Sequence, residues 1–393
     1  MTGIKIIPVV LIGLALLFLS GCWSNLELEN RAFVSALGID KSGDKLRVTA
    51  QLLVPSLLGG GQNRAMGTDP NKKNPVFIVE TEARTLSEAV DLLSKESGRR
   101  LFFPFLQIIV VGEDLARYSI LPVTEWVQRD RELRLKTLLG VAVGEAGEVI
   151  KAPGAGLERV PGYFLGSSTE TANNFCSRVV EGNFLKFIKD LSSRSRDPVA
   201  LRLATAEVSD QKQARISGSA VFDGYRLAGW LNDRETRGYL WITGDIQRGI
   251  ISATLPHGES IAFEIRGSDT EIKTGFVDGE PVVDINIVMK SAVNEVHNPV
   301  VSLASPRDLD RLEPLVERQV AGEVHAALEK ARRLNTDIFG FGEIIHRQHP
   351  AEWRRIAGYW DEIFPLLPVQ VQVKATIRRT GQIGSPVRPG KPE

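Results

Sequence analysis

The chain has 393 residues, 43% of them hydrophobic and 24% charged, a composition that excludes both a polytopic membrane protein and a disordered tail. Its 48 Lys and Arg balance its 48 Asp and Glu, so it lacks the long-range positive field with which a protein gathers nucleic acid, and that class of partner is excluded. At about 150 residues per domain, the length argues for two or three domains.

An apolar run begins at Ile6, behind the single cation Lys5, and ends in Leu19-Ser20-Gly21-Cys22. Pro8 and Gly13 interrupt it, and it is short for a membrane span, which needs about 20 apolar residues. It reads as a bacterial lipoprotein signal rather than an uncleaved anchor. The residue types follow from the chemistry. The Cys22 sulfur is the nucleophile that takes up a diacylglyceryl group, and the small Ser20 and Gly21 give a peptidase access to the backbone. Cleavage would remove residues 1–21 and leave Cys22 first, and two acyl chains hold stably, each buried methylene contributing ~0.8 kcal/mol. Only Cys176 then remains, so no intramolecular disulfide can form, which favours a Gram-positive envelope without a periplasm-type oxidising system. Cys176, in a helix-like segment, reads as a small buried residue rather than a reactive thiol.

After a polar tether, Trp23 to Asn30, the segment Ala32 to Asp40 reads as a strand. The turn residues Lys41 to Lys45 join it to a second apolar run, Leu46 to Val54, as a hairpin. From Leu58 to Pro75 the composition shifts to Gly, Asn, Asp, Lys and Pro, a surface loop. Val76 to Ala83 alternates as a strand. Thr85 with Glu88 has the spacing of a capping box ahead of an apolar face at Ala89, Leu92 and Leu93. Phe102 to Val111 is nearly continuously apolar, which predicts one strand buried on both faces, followed by a helix from Thr124 to Arg131 and a strand from Leu138 to Val143. A helix carrying Phe175, Val179, Phe184 and Phe187 then leads into the polar junction Lys189 to Pro198.

Ser217 to Phe222 and Arg226 to Trp230 predict a hairpin around Asp223-Gly224. Asn232 to Glu235 would cap a helix that buries Tyr239, Leu240 and Ile242. Ile261 to Arg266, Glu271 to Phe276 and Val282 to Met289 alternate as three strands of an antiparallel meander. Ser305-Pro306 and Glu313-Pro314 are helix starts, and Val316, Val320, Val324, Leu328 and Ala331 keep a helical period, so a long amphipathic helix should cover the sheet. Its acids, Asp308, Asp310, Glu313, Glu317, Glu323 and Glu329, interleave with bases as a solvated face. Val369 to Ile377 supplies a last strand, and Pro386 to Glu393 a polar tail. The expected fold is mixed α/β (α+β) in three domains, each a mixed or antiparallel sheet with packed helices: 22–195, 196–255 and 256–393, behind the signal peptide 1–21.

No catalytic, cofactor-binding or metal residue is assigned. Gly140, Gly144 and Gly147, or Gly340 and Gly342, match neither a dinucleotide fingerprint nor a phosphate loop, and no nucleophile elbow exists. Glu343, His346 and His349 could share a helical face but are too few in type and geometry for zinc. The carboxylate pairs Glu27 with Glu29 and Asp361 with Glu362 could serve a cell-wall hydrolase only if a cleft brought them together. Trp353, Tyr359, Trp360 and Phe364 read as the underside of a helix rather than a sugar platform.

Three stretches resemble one known family. They are Gly21-Cys22-Trp23 with Glu27-Leu28 and Ala36-Leu37-Gly38-Ile39-Asp40; Ala220-Val221-Phe222 with Leu227 to Leu231 and Glu235-Thr236-Arg237-Gly238; and Asp337-Ile338-Phe339-Gly340-Phe341-Gly342 with Pro350, Trp353, Trp360, Ile363-Phe364-Pro365 and Ile377 to Gly381. In this order, behind a lipobox, they are similar to the Ger(x)C family, the lipoprotein C subunit of bacterial spore germinant receptors. The resemblance implies three α/β domains and a non-enzymatic protein on the outer surface of the spore inner membrane, held there by a diacylglyceryl anchor on Cys22. It also implies two membrane-embedded partners, the A and B subunits, and a part in nutrient-triggered germination. The alternative class is an extracytoplasmic lipoprotein enzyme or a solute-binding lipoprotein, which requires a cleft with convergent polar groups.

Overall fold

The structure is a computed structural model that describes residues 28–58, 74–153, 158–208, 211–255, 258–297 and 305–379. The signal segment, Cys22, the core of the Gly-rich stretch after Leu58 and the polar tail lie outside them.

β1 (Arg31–Ser42) and β2 (Lys45–Leu53) form the expected antiparallel hairpin, closed by Gly43 at φ 60°. β3 (Val76–Ala83) pairs with the other edge of β2. Thr85 caps α1 (Leu86–Ser97) by accepting the Glu88 N–H at 3.2 Å, and the Glu88 carboxylate accepts the Arg84 N–H at 3.0 Å. Residues Phe102 to Val111 are not one strand. Pro104 has no N–H for a ladder, so the chain turns, with the Leu106 N–H donating to the Phe103 carbonyl at 2.8 Å, and gives β4 (Arg100–Phe102) and β5 (Ile108–Val111), both parallel to β1.

α2 (Glu113–Tyr118) and α3 (Leu121–Arg129) lead to β6 (Leu138–Ala142), parallel to β5. α3 begins before Thr124 because Pro122 falls in its first turn, where a missing N–H costs nothing. α4 (Ala146–Lys151), α5 (Pro161–Thr171) and α6 (Phe184–Leu191) follow. The single helix expected to carry Phe175 through Phe187 is broken. A π turn at Ala172–Cys176 ends on Ser177 at φ 44°, and Asn183 starts α6 by accepting the Lys186 N–H at 2.9 Å. Phe175 is consequently exposed while Phe184 and Phe187 are buried, and Cys176 is half-buried.

β7 (Val199–Val208) pairs parallel with β6 and antiparallel with β8 (Gln211–Asp223), which pairs with β9 (Arg226–Leu231). The first sheet thus has the order β3-β2-β1-β5-β6-β7-β8-β9, with β4 also on β1. The strands expected in a separate unit at 196–255 are therefore hydrogen-bonded into the first sheet: Val199, Ala200 and Leu201 are buried on both faces, as an inner strand must be. The hairpin turn falls one residue later than expected, on Gly224-Tyr225, with Asp223 opposite Arg226 and Gly224 at φ 52°. α7 (Asp233–Thr243) carries the expected capping box of Asn232 and Glu235.

The second sheet has the order β10-β11-β12-β13. β10 (Gly249–Thr254) was not legible as a strand. β11 (Ser260–Val277) joins two of the expected runs, because the register slips between Ile265 and Gly267 as a bulge instead of reversing as a turn. β12 (Glu280–Val296) follows antiparallel, and β13 (Val369–Arg379) returns parallel to it. Ser305 caps α8 (Pro306–Asp310), and α9 (Glu313–Leu334) buries its expected stripe of Val316, Val320, Val324, Leu328 and Ala331. Each buried Val or Leu of the stripe contributes about 1.5–3 kcal/mol. The solvated face of α9 needs correction: Glu317 and Glu313 accept the N–H groups of Ala375 and Ile377 at 3.0 Å each, covering the free edge of β13. α10 (Phe341–Gln348) and α11 (Pro350–Ile356) close the domain.

One apolar cluster runs from Ala36 and Ile108 through Tyr239 and Trp241 to Phe263 and Ile377, joining the two sheets. A second fills the opposite face of the first sheet, under α1, α2, α3 and α6. Among the described residues no helix is long and apolar enough to cross a membrane.

Candidate functional site

The Gly38-Ile39-Asp40 motif is a helix cap in three dimensions. Asp40, at the end of the parallel strands, is 4% exposed and accepts the N–H groups of Ala146 (2.7 Å, Oδ1) and Gly147 (2.8 Å, Oδ2) at the start of α4. Burial pushes its carboxyl above the usual range, while those two bonds pull it back. Gly112, on the neighbouring strand end, has no room for a side chain: a Cβ there would stand 2.0 Å from Asp40 Oδ1.

Glu235-Thr236-Arg237-Gly238 is a helix-packing motif. The Thr236 and Ser219 hydroxyls are bonded at 3.0 Å, tying α7 to β8. A Cβ on Gly238 would stand 2.0 Å from the Glu323 carbonyl oxygen, so glycine is what lets α7 lie against α9. Arg237, itself 4% exposed, faces Glu323 Oε2 at 3.4 Å, and that oxygen accepts the Trp241 indole N–H at 2.8 Å, while Gln319 donates to Oε1 at 3.2 Å. Burial lowers the pKa of Arg237. Glu323, expected on the solvated face of the long helix, is buried here. Its spacing, three residues after Val320 and seven after Val316, puts it beside the apolar stripe and was the available signal.

The third motif centres on Asp337, 4% exposed. Its Oδ1 accepts the N–H groups of Gly340 (2.9 Å) and Phe341 (3.0 Å), and its Oδ2 those of Gly342 (2.8 Å) and the Trp360 indole (3.2 Å). A Cβ on Gly342 would meet Ser195, Trp353 and Trp360 at 2.8–3.0 Å, so this glycine admits the tryptophans to the core. Trp353, Trp360 and Phe364 are buried, as expected, and Tyr359 is exposed. Asp197, which nothing in the sequence singled out, completes the network: its Oδ2 accepts the Asp337 N–H at 2.7 Å, and its own N–H donates to the Asp337 carbonyl at 3.0 Å. An opening of about 80 Å³ reaches both carboxyls.

Burial raises Asp197 to about 7 and Asp337 to about 6, from 3.8. The folded chain therefore holds protons that the unfolded chain has released. The pair's contribution to stability is fully present below about pH 4 and is lost as pH rises through 7. Asp197→Asn keeps an acceptor for the Asp337 N–H without the charge. At roughly 1.4 kcal/mol per unit of pKa, it should be more stable than the parent at pH 8 by up to about 4 kcal/mol and indistinguishable from it at pH 4. Urea midpoints at the two pH values check this, and an equal difference at both would show that the carboxyl does not titrate there.

The other residues weighed as chemical do not converge. The His349 ring lies 2.9 Å from the Thr274 carbonyl, the His346 ring packs 6.0 Å from Trp353, and among the described residues no group of three or more His, Cys, Asp or Glu is placed to hold a metal. Asp361 and Glu362 are exposed, as is Glu29. Glu27 and Cys22 lie outside the described residues. One cleft of about 600 Å³ does exist, at the β1–β2 hairpin end between α1, α2 and α3. Leu46, Leu86, Leu115 and Trp126 form its floor, and Lys41, Lys45, Arg84 and Arg129 stand at its rim with Asp44 and Glu125. Sequence reasoning missed it, since its parts come from five separate elements.

A family model described as "Spore germination protein N-terminal domain" matches residues 24–205, and one described as "Spore germination B3/ GerAC like, C-terminal" matches 217–381. Spore germination protein KC of Bacillus subtilis (strain 168) is 27% identical over 403 residues, covering 98% of each chain. Spore germination protein B3 of the same organism is 28% identical over 390 residues, covering 94% of this chain and 96% of its own. A crystal structure of the GerBC protein shares the fold, with a TM-score of 0.55 at 23% identity over 87% of this chain and 96% of that one. The glycines and buried acids that carry the three motifs thus stand in a matching chain from end to end, and the protein belongs to the GerAC family of spore germination proteins, the C subunits of germinant receptors.

Proposed function

We propose that the protein is a non-catalytic, lipid-anchored subunit on the outer surface of the spore inner membrane, where it assembles with the A and B membrane subunits of a germinant receptor and is needed for nutrient-triggered germination. The observation that carries this reading is the order of the chain: a lipobox ending in Cys22, a short polar tether, then two family segments that fill residues 24–205 and 217–381. The use made of its buried acids supports a non-catalytic body. Asp40, Asp337 and Glu323 each spend their oxygens on backbone or side-chain donors of the fold itself. In this reading the chain works as three parts, 22–195, 196–255 and 256–393, the middle one a joint that completes the first sheet with β7–β9 and lays α7 on the second half.

Cys22→Ala tests the anchor. The variant is expected to remain an unprocessed precursor that takes up no labelled palmitate, and spores carrying it should lose most of their response to nutrient. A variant that still labels with lipid, or spores that germinate like the parent, would remove lipid anchoring from the mechanism.

A further inference from the structure

The N-terminal ends of the parallel strands form a rim of distinct chemistry. The register sets Arg31 beside Arg100, Phe33 beside Phe102, and Ile108 beside Leu138, so the segments entering β1, β4, β5 and β6 all emerge on this side. The rings of Phe33, Phe102 and Phe105 contact one another with centroids 5.3 to 6.3 Å apart, and Phe105 is 43% exposed. Leu135 and Leu185, joined by the Leu185 N–H to the Leu135 carbonyl at 2.8 Å, are 39% and 52% exposed. Around these apolar groups stand the exposed Arg99, Arg100, Arg131, Arg134 and Lys136, and Arg31, whose guanidinium carbon lies 4.4 Å from the centre of the Phe102 ring. The acids on the same rim are Glu29, Glu96, Asp130 and Glu132, the last paired with Arg100 at 2.8 Å. In a chain whose charges balance overall, this is a local cationic excess.

The chain also indicates what faces the rim. β1 opens at Arg31, on this side, so Cys22 is nine residues upstream. Even fully extended, that length spans only ~30 Å. The hairpin end of β1, where Lys41 lies over the Tyr118 ring, is a further ~35 Å away along the strand at about 3.3 Å per residue.

We propose that this rim rests on the bilayer, its phenylalanines and leucines at the interface and its arginines among anionic lipid headgroups. The body would then stand with the β1–β2 hairpin turn facing away from the membrane. The inference builds on the reading that Cys22 carries lipid. Aromatic side chains prefer the membrane interface, and clustered Lys and Arg are drawn to anionic lipid. A patch too weak to bind on its own is engaged once a tether holds it at high local concentration.

The test uses the full-length acylated protein in phosphatidylcholine vesicles with and without phosphatidylglycerol. An environment-sensitive fluorophore is placed at Phe105→Cys, Leu135→Cys or, at the far end, Tyr118→Cys, each with Cys176→Ser. Brominated lipid should quench both rim probes several-fold more than the Tyr118 probe. The rim signal should fall several-fold without phosphatidylglycerol, or on joint reversal by Arg131→Glu, Arg134→Glu and Lys136→Glu, which are exposed and should leave the thermal transition in place. Equal quenching at all three positions, in protein that mass spectrometry shows to be acylated, overturns the rim and leaves the anchor standing. An unmodified Cys22 sulfur overturns the anchor, and the rim then stands or falls on whether vesicle binding of that same protein still requires phosphatidylglycerol. A rim probe shielded from water but not quenched by lipid in the assembled receptor assigns the surface to protein and overturns the proposal.

Discussion

Asp337→Ala is expected to lower the unfolding free energy by about 3–5 kcal/mol, because it leaves several buried donors without an acceptor. The aspartate oxygens accept four donors: the N–H groups of Gly340, Phe341 and Gly342, and the Trp360 indole. Alanine supplies no acceptor, and each buried donor left alone costs about 1–3 kcal/mol before relaxation and water entry reduce the total. The loss propagates, because the cap fixes the start of α10, and Gly342 sits between Ser195 and the two tryptophans. Asp337→Asn retains one oxygen and should lose roughly half as much. Urea unfolding followed by near-ultraviolet circular dichroism of Trp353 and Trp360 measures both; an alanine variant with the parent's midpoint would show that the network contributes nothing.

Glu323→Ala should cost a similar ~3–5 kcal/mol by a different route. Its carboxylate is the ion-pair partner of Arg237, in a place where burial already weakens that cation's hold on its proton. Without it, the guanidinium remains charged and buried, and the Trp241 indole N–H loses its acceptor. Removing both charges together is expected to recover much of the loss: Arg237→Met with Glu323→Leu should be far closer to the parent than Glu323→Ala alone. A double-mutant cycle of Arg237→Met, Glu323→Leu and the two together, by urea unfolding, gives the coupling directly. Additive single and double values would mean that the two side chains do not interact.

The sequence made legible those features whose partners lie close along the chain. Thr85, Asn232 and Ser305 cap helices as residue type and spacing foretold, because a cap needs only the backbone three residues on. The stripe on α9 and the hairpin at Gly43 are of the same kind. The structure departs from the sequence reading where one residue changes the meaning of an apolar run: Pro104 splits a strand, Ser177 breaks a helix, and Gly267 makes a bulge in place of a turn. What no local pattern could show was long-range pairing. The Asp197–Asp337 bonds join residues 140 apart, and the Asp40 cap reaches 106 residues to Ala146. The motifs were recognisable as family markers before their purpose was. Their glycines mark close approaches of backbone to backbone or ring, and their acids serve donors supplied by distant segments.

The apolar cluster shared by the two sheets bears on how a stimulus could travel through such a subunit. Gly238 brings α7 against α9 with no space for even a methyl group, so the halves have no slack plane on which to slide. A displacement of one half at this contact is therefore passed directly to the packed core of the other.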